Sequence, residues 1–171
     1  MSSSKAGLSP GSSGGPLAEG TGPTGRTTNV EVEPMPIAFA QEQTLAASDY
    51  IACVGRTTLG QGRPLGNPER IQQILDNSPV IITARDEDGT LLGLFRGITD
   101  WHWVCYCADL AVVEGQQGKG IGKALMDKAA EILGPRVAIT LLAKPEAEGF
   151  YRAIGMSQPM AAFFRPRTDR S

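Results

Sequence analysis

Histidine is almost missing from this chain: its 171 residues include one, His102. Cysteine is scarce as well, and Cys53, Cys105 and Cys107 form an odd set with no C-x-x-C spacing. A zinc site built from the usual Cys and His ligands has almost nothing to draw on, so no metal is expected. Cys105 and Cys107 stand two apart in a strand-like run and so share one face, where they are poorly placed to pair with each other. Free, buried thiols in a reducing compartment are the expectation. No apolar run approaches the ~20 residues of a membrane span. The N-terminus also lacks the apolar centre of a secretory signal. A cytoplasmic location without a membrane partner follows as an expectation. An excess of positive charge is lacking too, since Lys and Arg number 16 against 18 Asp and Glu, for a net charge of −2. Nucleic-acid binding needs a clustered basic surface, so no such partner is expected.

What is present is organised. Residues 1–29 are mostly Gly, Ser, Thr and Pro, which bury too little apolar surface to offset their ordering entropy, and a disordered tail is expected there. Residues 30–171 read as one domain. Spaced apolar residues interrupted by Pro34 and Pro36 suit an edge strand from Val30 to Ala40. Ala47, Ile51 and Val54 fall at helical spacing within Thr44 to Gly55. Asn67-Pro68-Glu69 combines an N-cap, a first-turn proline and an acid at the positive helix end, so a second helix starts there. Strands are expected over Val80 to Arg85 and Leu91 to Ile98, joined by Asp86-Glu87-Asp88-Gly89, and then over Trp103 to Val113. Ile121, Leu125, Ala129 and Ile132 mark one face of a longer helix that Gly134-Pro135 ends. A strand over Val137 to Ala143, a short helix over Ala147 to Ala153 and a last strand over Met160 to Arg165 complete the pattern.

The segment Val112 to Met126, VVEGQQGKGIGKALM, carries the most information. A strand that turns through small residues into a helix presents free N–H groups and the positive end of the helix dipole, which suits a phosphate. Two common phosphate loops fail on spacing. A Walker loop places four residues between its glycines and then Lys and a hydroxyl residue; here Gly118 and Gly122 are closer and Lys123 precedes Ala124. A dinucleotide fingerprint has the form G-x-G-x-x-G, whereas Gly118, Gly120 and Gly122 occupy alternate positions.

The pattern Gln-x-x-Gly-x-Gly, read at Gln117, Gly120 and Gly122, resembles the acyl-CoA pyrophosphate loop of the GNAT superfamily of N-acetyltransferases. The element order of strand, two helices, three strands, helix, strand, helix and strand is similar to that family over Val30 to Arg165. The resemblance implies an α/β (mixed α+β) fold with a mostly antiparallel sheet of six to seven strands flanked by about four helices. It implies transfer of an acetyl group from acetyl-CoA to a primary amine, with a small-molecule amine as acceptor. A non-catalytic acyl-CoA sensor and a protein-lysine or N-terminal acetyltransferase are the alternatives. Family members are often dimers, so a homodimer is a further expectation.

In the family frame, Leu110, Ala111 and Val112 correspond to the strand end beside pantetheine, where a backbone N–H would polarise the thioester carbonyl. Gln117, Gly118, Lys119, Gly120, Ile121, Gly122 and Lys123 correspond to the pyrophosphate loop. Glycine lets backbone approach oxygens that a Cβ would block, and Lys119 and Lys123 either add positive charge there or are ordinary solvated lysines. Ala147 to Met156 resembles the family's A-x-x-x-Y-x-x-x-G-[FM] segment, in which the tyrosine is commonly the acid that protonates the departing thiolate. That residue is Tyr151, a phenol of pKa ~10 matched to a thiolate of similar basicity; the other reading is a core or rim aromatic.

Two departures stand out. Lys144, followed by Pro145, occupies the place where many members have Asn. The strand Val137 to Leu142 also lacks the glutamate that many use as base. Asp109, a carboxylate interrupting an apolar strand, is the best-placed substitute, or else a residue bonded to a neighbouring loop. Arg56 and Arg63 flank a loop where family members build part of the acceptor site, and an acidic or phosphorylated acceptor would account for them. The aromatics of Trp101-His102-Trp103 are further candidates for an acceptor pocket.

Overall fold

A computed structural model describes residues 36–158 and 161–168; the tail expected over residues 1–29 lies outside them. Strand β1 (Ala38–Gln41) is followed by helix α1 (Ala47–Val54), a 3-10 turn (Thr58–Gly62) and helix α2 (Pro68–Asp76). Asn67 caps α2 as its position predicts, its side chain accepting from the Arg70 N–H at 3.0 Å. Three strands come next: β2 (Val80–Arg85), β3 (Leu91–Thr99) and β4 (Val104–Val112). Helix α3 (Ile121–Leu133), strand β5 (Ala138–Thr140) and helix α4 (Glu148–Ala153) complete the order.

The sheet runs β1-β2-β3-β4-β5, antiparallel except where β5 returns parallel to β4 after the α3 crossover. Among the described residues it has five strands rather than six to seven. The strand expected from Met160 to Arg165 does not form: Ala161 to Thr168 are exposed coil, with Met160 outside the described residues. Pro166 lacks an N–H to donate, and β5 is only three residues long, so it offers little edge to extend. The strand expected from Val30 reduces to β1, with residues 30–35 outside the described range.

Apolar clusters cover both faces of the sheet. Tyr50, Val54, Ile71 and Leu75 of α1 and α2 pack on Ile81, Leu92, Leu94 and Ala111. On the opposite face Ile121, Leu125 and Ala129 of α3 pack on Val80, Ile82, Phe95, Cys105 and Cys107. Because both faces of β2 are covered, its sequence is apolar without alternation.

One irregularity sets the geometry of the site. The β3·β4 register steps from Gly97↔Cys107 to Arg96↔Asp109, so Ala108 is an extra residue in β4. Such a bulge reverses which face successive side chains occupy. Cys105 and Cys107 lie on the α3 face, yet Asp109, two residues further, lies among groups of the α1–α2 side.

Candidate active site

Among the described residues, β4 has no strand partner on its β5 side beyond Tyr106: the parallel pairing covers Val104 to Tyr106, while β4 continues to Val112. The Val113 N–H donates to the Leu92 carbonyl at 2.9 Å. By antiparallel alternation Ala111 also directs its backbone to β3, and Leu110 and Val112 direct theirs to the open edge. Gln117 confirms that direction for Val112, since its side-chain amide donates to the Val112 carbonyl at 3.1 Å. Ala111, grouped with Leu110 and Val112 on sequence, therefore turns its polar atoms to β3 and is 3% exposed.

The turn from β4 into α3 lies against this edge. Gly115, Gly118 and Gly120 all have positive φ, and the N-cap Gly120 (φ 83°) supplies no side chain to the helix N-terminus. The first intrahelical bond recorded there runs from the Ala124 N–H to the Gly120 carbonyl, so the N–H groups of Ile121, Gly122 and Lys123 point out of the helix end. Nothing lies within 4 Å of the position a Cβ would take at Gly118 or Gly120, which leaves this face of the loop open. Gly122 has a different role. A Cβ there would sit 3.1 Å from the Phe150 ring and 3.8 Å from Val112 Cγ2, so its smallness lets α4 pack on the start of α3. Lys119 and Lys123 are exposed and bond locally, to Gln116 and Asp127.

Tyr151 lies on α4, near enough to Cys107 of β4 to be influenced by its sulfur. Its ring stands edge-on to Phe150, with centroids 5.1 Å apart. Burial, and next the Cys107 sulfur on β4, push the phenol up to about 12, which keeps its proton in place at neutral pH. Cys107 itself is pushed up to about 12, mainly by burial, so its thiol is no nucleophile near pH 7.

Asp109 is buried, and three donors engage its carboxylate. Its side chain is 0% exposed, and each oxygen already accepts. Oδ1 takes the Arg63 Nε–H at 2.7 Å, and Oδ2 takes the Tyr50 hydroxyl at 2.9 Å together with the Arg96 Nε–H. Burial, and then Asp109, raise the Tyr50 pKa, so the phenol stays a donor. Arg63 also donates to the carbonyl of the bulge residue Ala108 at 2.8 Å, tying the α1–α2 connection to β4. Arg96 and Tyr50 escaped the sequence reading. A signal existed for Arg96: one cation in apolar β3 facing one anion in apolar β4.

A cleft of about 1070 Å³ opens on the α1–α2 side of the sheet, with Arg63, Arg70, Arg96, Ser78, Tyr106 and Ala108 among its lining. Arg56 lines a separate recess with Thr57, Thr58 and Glu114. Trp101 and Trp103 are 44% and 76% exposed and line neither. Lys144 donates to the Thr58 carbonyl at 3.0 Å, linking the segment after β5 to the 3-10 turn. Among the described residues, no group of three or more His, Cys, Asp or Glu could hold a metal ion, and no helix is long and apolar enough to cross a membrane.

The acetyltransferase (GNAT) family model matches residues 49–156. The chain belongs to this family. Solved structures share the GNAT fold. A Deinococcus radiodurans R1 protein is 25% identical at TM-score 0.62, over 75% of this chain and 87% of the other. A GNAT family acetyltransferase from Streptococcus pneumoniae TIGR4 is 23% identical at TM-score 0.62, over 78% of this chain and 100% of its own. Glucosamine-6-phosphate N-acetyltransferase from Arabidopsis thaliana is 18% identical at TM-score 0.57, over 77% and 99% respectively. No curated protein sequence matches this chain.

Proposed function

We propose that this GNAT chain transfers an acetyl group from acetyl-CoA to the primary amine of a small molecule. One observation carries the reading: an uncapped, glycine-lined helix N-terminus follows the unpaired edge of β4, and a half-buried, protonated tyrosine lies near Cys107 of the same strand. The residues fit acetyl-CoA. The N–H groups from Gly118 to Lys123 would hold the pyrophosphate, and the outward backbone of Leu110 and the N–H of Val112 would pair with the pantetheine amides as a neighbouring strand does. Gln117 braces the turn that joins the two, and Lys119 and Lys123 add positive charge at its rim.

The neutral amine attacks the thioester carbon while an N–H of Leu110 or Val112 stabilises the developing oxyanion. Collapse breaks the carbon–sulfur bond. Tyr151 delivers its proton to the sulfur and recovers one from solvent, and the former amine nitrogen loses its proton to water. Asp109 takes no part in these proton transfers and holds the bulge that directs the β4 edge.

Thiol release from acetyl-CoA, measured over a broad panel of amines, tests the reading. Turnover with small amines but not with peptides supports it. Tight calorimetric binding of CoA without turnover on any amine would instead make the chain an acyl-CoA sensor.

A further inference from the structure

The cleft on the α1–α2 side of the sheet, which Tyr106 and Ala108 of β4 line, has an unusual charge balance. Arg63, Arg70, Arg96 and Arg167 line it, and among the described residues no Asp or Glu does. Asp109 lies beneath its wall at 0% exposure and pairs with two of the four, Arg63 and Arg96. Arg63 directs Nε and Nη2 into the protein. Arg96 is only partly used. Its Nε donates to Asp109 and its Nη1 donates to Ser78 Oγ at 3.0 Å, while Nη2 bonds to none of the described residues. Arg96 is 7% exposed, and among the described residues no fully buried side-chain nitrogen or oxygen lacks a partner. The Nη2 group therefore opens onto the cleft that Arg96 lines. The Arg70 guanidinium, on α2 across the same cleft, also bonds to none of the described residues.

We propose that the acceptor amine carries an anionic group, a carboxylate or a phosphate, that docks in this cleft on Arg96 Nη2 and Arg70. The inference rests on the transferase reading above and names the class of its acceptor. A nearly buried guanidinium N–H facing a cavity loses hydration that an oxyanion replaces with a short, charge-assisted bond. Arg96 is suited to orient the anion because Asp109 and Ser78 fix the plane of its guanidinium. The excess positive charge also disfavours an ammonium and favours the neutral amine that must attack. This electrostatic effect assists deprotonation in a site where Asp109, the carboxylate nearest the edge in sequence, is fully engaged.

The test uses matched acceptors with the full chain and acetyl-CoA: O-phosphoethanolamine against ethanolamine, and β-alanine against β-alaninamide. The anionic member of at least one pair should have a kcat/KM about 10-fold or more higher, as one hydrogen bond to a charged group implies. Arg70→Gln should narrow that advantage mainly through KM. Equal or better use of the neutral members overturns the proposal, as does an advantage that Arg70→Gln leaves intact. If acetyl-CoA binds but no amine releases thiol, the transferase reading fails and calorimetry decides the anion site separately. O-Phosphoethanolamine and inorganic phosphate are then titrated into the CoA-saturated protein. Weaker binding to Arg70→Gln than to the parent supports the site; equal binding, or none, overturns it.

Discussion

Replacing Asp109 with asparagine separates a structural anion from a catalytic base. Three donors converge on its two oxygens: the Tyr50 hydroxyl, Arg63 Nε and Arg96 Nε. Asparagine keeps the shape but offers one carbonyl oxygen, and its NH₂ must oppose a donor. It also leaves the Arg96 guanidinium, with its side chain 9% exposed, beside no carboxylate. Breaking a buried pair from one side costs about 3–5 kcal/mol. At roughly 2–4 °C per kcal/mol for a domain of this size, Tm should fall by about 10 °C. Assayed well below that lowered Tm, kcat should stay within a few-fold of the parent, with no pH limb lost. Arg96→Met combined with Asp109→Asn should cost less than the sum of the single changes, because each removes the other's unpaired charge. Thermal unfolding by circular dichroism and thiol-release kinetics on the same preparations provide both readouts. An Asp109→Asn protein with the parent's Tm and a kcat lowered 100-fold would refute the structural assignment and restore Asp109 as the base.

Tyr151→Phe should lower kcat by about 10²-fold or more, the usual contribution of a positioned acid, and leave the KM for acetyl-CoA nearly unchanged; an unchanged kcat removes Tyr151 from the reaction. Alkaline pH should destabilise the fold through groups that burial keeps protonated. Tyr151 is raised from 10.0 to about 12, and Cys53 and Cys105 from 9.0 to about 11. Their contribution is fully present below pH 9, where the unfolded thiols also hold their protons, and is lost as pH rises through the folded values. Urea midpoints that stay flat from pH 8 to 11 would contradict this. Gly120→Ala should cost about 1 kcal/mol, because a Cβ at φ 83° is strained while the space around it is open. It should also raise the KM for acetyl-CoA, and an unchanged KM would argue against anion contact at this turn.

Local chemistry made much of the chain legible. Asn67 and Pro68 mark the start of α2, the Asp86–Gly89 turn joins β2 to β3, and the Gly118–Gly122 run marks the start of α3 because cap and turn geometry depends on residues close in sequence. The strand at Met160 to Arg165 was misjudged because apolar character alone does not supply a neighbouring edge. At Gly122 the tertiary structure adds a second reason for smallness, since a Cβ there would meet the Phe150 ring.

The sequence alone thus determined the family and the glycine-lined start of α3, each from spacing within a few residues. The tertiary structure decided which groups surround Asp109. Alternation along an unbroken strand would have kept it on the face of Cys105 and Cys107, but the extra residue Ala108 turns it to the opposite side. There Tyr50, Arg63 and Arg96, distant in sequence, occupy both its oxygens. Long-range pairing register carries that information, and no local pattern in the chain encodes it.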